Sequence, residues 1–281
     1  MWWDERVSGG RTKGYIYLLH PGPSILVTAT FVAVAGIAMR AMPSPLRALQ
    51  LAAVMLPLQF AIGITNDIAD HSGDAVSKPY KPIPRGLVGV QVASALSIVL
   101  IATGVVVAAT INWATFALAV AGSGAGLVYN AGLKRTSMPW IAWWAGFVAL
   151  PAAAFAAANA LSTRVLWIVP FSGLLALGLY LANAAPDVEG DRGARGRSLA
   201  VRLGARRGRQ LAVAAIGTAG VLAIAVAWIA WPISWWLPAG GGLLLAALVF
   251  VTATRSTRPF PVLAAGSAVF AIAWLASLPT R

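Results

Sequence analysis

Residues 46–74 read LRALQLAAVMLPLQFAIGITNDIADHSGD. Up to Thr65 the stretch has the length and apolarity to cross a hydrocarbon core of ~30 Å as a helix. It then turns abruptly acidic, as Asn66-Asp67-Ile68-Ala69-Asp70-His71-Ser72-Gly73-Asp74. Elsewhere the chain almost does without acids. Of its 8 Asp and Glu, only Asp4 and Glu5 lie outside this cluster and a second one, Asn183-Ala184-Ala185-Pro186-Asp187-Val188-Glu189-Gly190-Asp191. Acidic groups are costly near a bilayer, so gathering them in two places points to one site. Both clusters hold Asn-x3-Asp-x3-Asp, at Asn66/Asp70/Asp74 and Asn183/Asp187/Asp191.

Working outward, the 281 residues are 59% hydrophobic and 10% charged, where a soluble domain carries about 25% charged. The class is an all-α integral membrane protein. Apolar runs predict nine transmembrane helices, at about 15–39, 46–65, 88–109, 112–129, 138–159, 165–183, 210–228, 233–253 and 260–279. A net charge of +13 raises nucleic acid as a partner, but the placement of the charge argues against it. With the N-terminus cytoplasmic, all of the 21 Lys and Arg except Arg40, Arg47, Arg164 and Arg281 fall on the inner side, as the positive-inside rule requires. Both acidic clusters then face the cytoplasm, and the plasma membrane is the expected location. Residues 1–281 read as a single membrane-embedded domain, with a degenerate internal repeat that sets Asn183 against Asn66. The charged residues Asp4 to Lys13 argue against a cleavable leader. With no cysteine there are no thiolate sites, and two histidines are too few for a histidine metal cage.

On a helix, Asn66, Asp70 and Asp74 at i, i+4 and i+8 form a stripe, with Asp67 in the same arc. Carboxylates so close need a cation or a shared proton between them. The donors are all oxygens, which favours Mg²⁺, completed by water and substrate phosphate. Two stripes facing each other, Asn66/Asp67/Asp70/Asp74 and Asn183/Asp187/Asp191, would hold metal with a phosphate between them. Pro186 is expected to bend or break the second stripe.

Basic side chains follow each cluster. Lys78, Lys81 and Arg85 lie in a loop stiffened by Pro79, Pro82 and Pro84, and Lys134 follows Tyr129 on the same side. Fixed cations aimed at a leaving group need little reorganisation as its charge develops. The arginines from 192 to 209 read mostly as topogenic or as contacts to membrane lipids. Most tryptophans fall at interfaces, whereas Trp143, Trp144, Trp167 and Tyr180 are candidates for a cavity wall.

Asn66-Asp67-x2-Asp70-x3-Asp74 followed by Lys78-Pro79-Tyr80-Lys81-Pro82-Ile83-Pro84 resembles the first signature of the UbiA superfamily of intramembrane prenyltransferases. Tyr129 to Lys134 is similar to its Tyr-x4-Lys inner loop. Asp187-x-Glu189-Gly190-Asp191, with Arg197 to Gly204 downstream, resembles its second signature. The resemblance implies a helical bundle around a central cavity. It further implies Mg²⁺-dependent transfer of an isoprenyl group from a prenyl diphosphate to a lipophilic, often aromatic, acceptor through an allylic carbocation. Carried over by position, Asn66, Asp70, Asp74, Asp187 and Asp191 would hold metal, and Lys78, Lys81 and Lys134 would meet the diphosphate. Two rivals stand beside this reading. One is a terpene cyclase of the same superfamily, in which the tail's own double bond captures the cation. The other is a secondary transporter, which would place its acids near the bilayer midplane.

Overall fold

The computed structural model describes residues 10–189, 198–230, 236–254 and 259–278. The run taken from hydropathy as one span at 15–39 is two helices, α1 (Arg11–Leu18) and α2 (Pro21–Met39). The break falls at His20, whose backbone is left-handed (φ 48°, ψ 54°), just before Pro21, Gly22 and Pro23. Proline suits the first turn of a helix, where its missing amide hydrogen is not needed, so α2 restarts there.

Helix α3 (Pro45–Ser77) is capped by Ser44, whose hydroxyl accepts the Arg47 amide at 3.3 Å. Its 33 residues extend about 50 Å, well past a ~30 Å hydrocarbon core. The surplus carries Asn66 to Asp74, so the acidic cluster is helical throughout, as its spacing implied, and the helix runs well past the expected end of the span at 65. The helix stops at Lys78, because the residue before a proline disfavours helical backbone.

Helices α4 (Val90–Ile111) and α5 (Trp113–Ala131) meet at Asn112, whose side-chain oxygen accepts the Thr115 amide at 2.8 Å. The Asn112 amide in turn donates to Ala156 O at 2.8 Å, tying the hairpin to the end of α6 (Trp140–Ala157). Helix α7 (Val169–Ala184) gives way to a 3-10 turn over Ala185–Asp187. Pro186 accounts for the change, since it has no N–H for an α-helical bond. Helix α8 (Leu199–Ala230) starts well before the expected 210 and bends at Gly204, whose φ of 77° only glycine adopts freely. Helices α9 (Trp236–Ala253) and α10 (Phe260–Ala276) complete the chain.

Among the described residues there is no strand. Among the described residues, seven helical segments, those built on α2 to α8, are long and apolar enough to cross a membrane, while the two apolar helices α9 and α10 are shorter. The nine expected spans are thus met in full by seven. Successive helices pack in pairs (α3 on α4, α5 on α6, α7 on α8, α9 on α10), and α10 returns to α2 to close the bundle. Small residues permit close approach where lipid offers no driving force between helices. A Cβ on Gly178 of α7 would lie 2.8 Å from Ala212 O of α8. Inside the ring lies a cavity of about 550 Å³, lined by α2, α3 and α5 to α10. At one side of the bundle a second, smaller core joins Leu18, Ile64, Ile83, Val88 and Ala93. It seats the proline-rich loop 78–89 against α1, α3 and α4.

Candidate active site

The cavity runs from apolar walls, including Leu58, Phe147, Phe171 and Trp274, to the polar residues Asn66, Asn130 and Asn183. That polar end is where α3, α5 and α7 reach their C-terminal ends, so it is built from helix ends and the loops that follow them. Asn130 locks two of these helices together, its amide donating to Ile62 O at 2.8 Å and Thr65 Oγ1 at 2.9 Å.

The Lys134 ammonium sits between Asn66 Oδ1 at 3.0 Å and Asp70 Oδ1 at 2.7 Å. It is thus a cation already held by the oxygens expected to hold a metal. Burial pushes the Lys134 ammonium toward losing its proton, the Asp70 hydrogen bond and charge oppose this, and the net shift is downward. Across the mouth, Lys78 Nζ reaches Asp187 Oδ2 at 3.0 Å. This bridge joins the loop after the first cluster to the second cluster, so the structure brings the two acidic motifs together as expected. Asn183 lines the cavity beside them. Asp191 lies outside the described residues.

The expected single stripe is instead two. Asp67 and Asp74 are 3% and 6% exposed, and both bond Lys81, at 2.8 and 2.6 Å. Asp67 also accepts from His20 Nε2 at 3.0 Å. The reason is the helical pitch. Seven residues make almost two whole turns at 3.6 per turn, which aligns Asp67 with Asp74, whereas eight overshoot by about 80° and carry Asp74 away from Asn66. Lys81, expected to meet the diphosphate, has its ammonium enclosed here by these two carboxylates. Burial works against that charge, but the charge of Asp67 and bonds to Asp67 and Asp74 outweigh it and raise its affinity for the proton. By contrast the side chains of Asp70 and Asp187 are 34% and 49% exposed and can exchange partners.

Arg85 is exposed on the far turn of its loop, where its amide donates to Lys81 O at 3.0 Å. Tyr129 lines the cavity and packs edge-on against Trp143 at 6.4 Å. Trp143 also meets Phe147, Tyr180 and Phe260 edge-on, forming an aromatic wall beside the polar end. Reasoning from sequence passed over His20, Asn130 and Arg135, whose guanidinium donates to Ala69 O at 3.1 Å. The signal for His20 was its place immediately before Pro21-Gly22-Pro23, where a span is interrupted.

Residues 26–278 match the model of the UbiA prenyltransferase family. The chain belongs to that family. It is an integral membrane protein of the UbiA fold, and two archaeal relatives show the range of similarity. Digeranylgeranylglyceryl phosphate synthase of Methanoculleus marisnigri is 32% identical over 161 residues, 56% of this chain and 57% of the relative. The match thus spans little more than half of that relative's length. The protein of the same name from Methanoregula boonei is 31% identical over 206 residues, 72% of this chain and 70% of the relative. Among solved structures, a UbiA homologue from Archaeoglobus fulgidus bound to GPP and Mg²⁺ superposes with a TM-score of 0.72 at 18% identity, covering 94% of this chain and 98% of that one.

Proposed function

We propose that this UbiA-family protein transfers an isoprenyl group from its diphosphate to a lipophilic acceptor. The observation that carries the proposal is the Lys78–Asp187 bridge across the mouth, set beside Asn66, Asp70 and Lys134 at the polar end of an apolar cavity. A prenyl diphosphate has the same two-part chemistry, with an apolar tail and a polyanionic head. The cavity volume lies within the ~300–1,000 Å³ of small-molecule sites.

The donor set fits Mg²⁺. It is made of oxygens, and two of them already enclose an ammonium. Mg²⁺ takes one or two carboxylates and completes its shell with water and substrate oxygens. Asn66 and Asp70 on one side, with Asp187, Asn183 and Asp191 on the other, would hold it. Bound there, Mg²⁺ would neutralise diphosphate charge and improve the leaving group. The chain's own groups do the rest. Lys78 and Lys134, released from their carboxylates, would meet the diphosphate oxygens as the allylic C–O bond breaks and its electron pair leaves with them. The aromatic wall around Trp143 would face the cationic carbon, and the apolar cavity would keep water from it.

The reading also takes residues 1–281 as one membrane-embedded unit of nine spans with a cytoplasmic N-terminus, α9 and α10 crossing as short spans. The basic side would then place the site at the cytoplasmic face of the plasma membrane. The test uses purified protein in lipid vesicles with geranyl or geranylgeranyl diphosphate. Mg²⁺-dependent diphosphate release that yields a prenylated acceptor, stopped by EDTA and restored by Mg²⁺, is expected. Metal-independent turnover contradicts the site. A cyclic hydrocarbon formed without acceptor replaces transfer with cyclisation.

A further inference from the structure

A prenyl tail is hydrocarbon from end to end, so a cavity that held only such a tail would have no use for an amide. Gln59 nonetheless lines the cavity, within the membrane-spanning part of α3. It stands seven residues before Asn66, which is almost two helical turns. The two residues therefore share one face of α3, with Gln59 about 10 Å deeper than Asn66. Resting on the prenyl-transfer reading, we propose that Gln59 recognises the acceptor, through a hydrogen bond to an acceptor oxygen that does not itself react.

The amide has little else to bond. Among the described residues its one hydrogen bond runs from Nε2 to Met55 Sδ at 3.5 Å, and a thioether is a weak acceptor. That contact with the preceding turn directs the side chain away from Asn66 and farther down the cavity. Its cavity-lining neighbours on α3, Met55, Leu58 and Ile62, are apolar. Other polar side chains of the cavity are already served. The hydroxyls of Ser24, Thr30, Ser123 and Ser172 each donate to a backbone carbonyl. Ser267 has no partner, but its oxygen is enclosed by protein and out of reach of a ligand. Gln59 differs in keeping part of its surface open. A polar group among apolar ones loses its bonds to water, and a partner brought by a ligand restores them.

The chemistry of the amide defines the ligand. Its N–H groups can meet an ether, ester, carbonyl or hydroxyl oxygen, and its carbonyl can accept from a hydroxyl. The acceptor therefore carries its reacting atom toward Asn66 and Asp70 and a second oxygen deeper in the membrane. Apolar walls supply most of the contact in such cavities, while a few placed polar groups fix orientation. Holding the second oxygen on Gln59 keeps the reacting atom turned to the polar end.

The experiment compares wild type with Gln59→Met, which keeps side-chain length and removes both polar atoms. Each protein is placed in lipid vesicles with Mg²⁺ and an unreactive thio analogue of geranylgeranyl diphosphate. It is then titrated by calorimetry with two matched pairs of probes. One pair is a para-alkoxyphenol and the para-alkylphenol of equal length. The other is a glycerol monoalkyl ether and the vicinal alkanediol of equal length. Within each pair a methylene replaces one ether oxygen. Wild type should bind the ether of at least one pair on the order of tenfold more tightly than its methylene partner. Gln59→Met should bind both members of that pair within about twofold of each other, and the thio analogue within about threefold of wild type. Wild type that binds neither pair, or draws no distinction within either, overturns the assignment. Discrimination that survives in Gln59→Met overturns it too. A larger loss of affinity for the thio analogue in Gln59→Met sets the donor against the amide and likewise overturns it. Wild type that fails to bind the thio analogue with Mg²⁺ overturns the prenyl-transfer reading itself.

Discussion

Lys81 and Lys134 both pair with carboxylates of the acidic helix, yet the two pairings predict opposite experiments. Lys81 joins two buried carboxylates, and removing one partner of a buried ion pair costs about 3–5 kcal/mol. Lys81→Met should therefore lower the melting temperature in detergent sharply, whether or not donor is present. Because Lys81 holds its proton more tightly in the folded chain, its stabilisation is complete below the ordinary lysine value of 10.5 and is lost only as pH rises through its higher folded value. Asp187→Ala, which removes a carboxylate 49% exposed, should change stability by less than about 1 kcal/mol. Asp70→Ala, whose carboxylate is 34% exposed, should cost less than Lys81→Met because Asn66 still bonds Lys134. Diphosphate release should fall on the order of 10²–10³-fold in each, and near-normal turnover in either would remove it from the site. The two acidic motifs were legible from residue type and spacing, and Tyr129–Lys134 from its resemblance to the family's inner loop. The split between Asn66/Asp70 and Asp67/Asp74 was not, because a spacing of four keeps neighbours together over one step and drifts over two. His20 was missed for another reason: its partner lies 47 residues away, and only the fold brings them together.

Elements repeat this lesson in a different form. Hydropathy located every apolar helix of the bundle, since the bilayer imposes length and polarity directly on sequence. It misjudged ends. Helix α3 continues through Asp74 to Ser77, and α8 begins at Leu199, because helical propensity and capping are indifferent to where the oil stops. Pro186 was read correctly as a break, and the 3-10 turn it creates carries Asp187 toward Lys78. Close packing of α7 on α8 was invisible, as it depends on which glycine faces which carbonyl. A side chain at Gly178 would strike Ala212 O and Ile216, so Gly178→Val should cost about 1–3 kcal/mol through overpacking. The check is a lower unfolding temperature, with restoration sought by the compensating Ile216→Ala. An unchanged unfolding temperature would show that the two helices can part without penalty.

The whole molecule offers a clean test of its orientation, because it contains no cysteine. Ser77→Cys at the exposed end of α3 beside the site should react with an impermeant maleimide only from the cytoplasmic side. Ser162→Cys, at the opposite end of the bundle, should react only from outside. The reverse pattern would invert the topology and move the site across the membrane. One further consequence follows from the Asn66–Lys134–Asp70 and Lys78–Asp187 contacts. Asp70 and Asp187 each have a lysine partner here, so on the proposed reading metal arriving alone would have to displace an ammonium. A diphosphate arriving alone must draw the lysines off carboxylates that then stand bare. Arriving together, each supplies what the other displaces, and every charge changes partners without being stranded. By linkage, each then raises the affinity for the other by the same factor. On the proposed reading, the site would favour the metal–diphosphate complex over either half alone, which would guard a membrane cavity against firing on water.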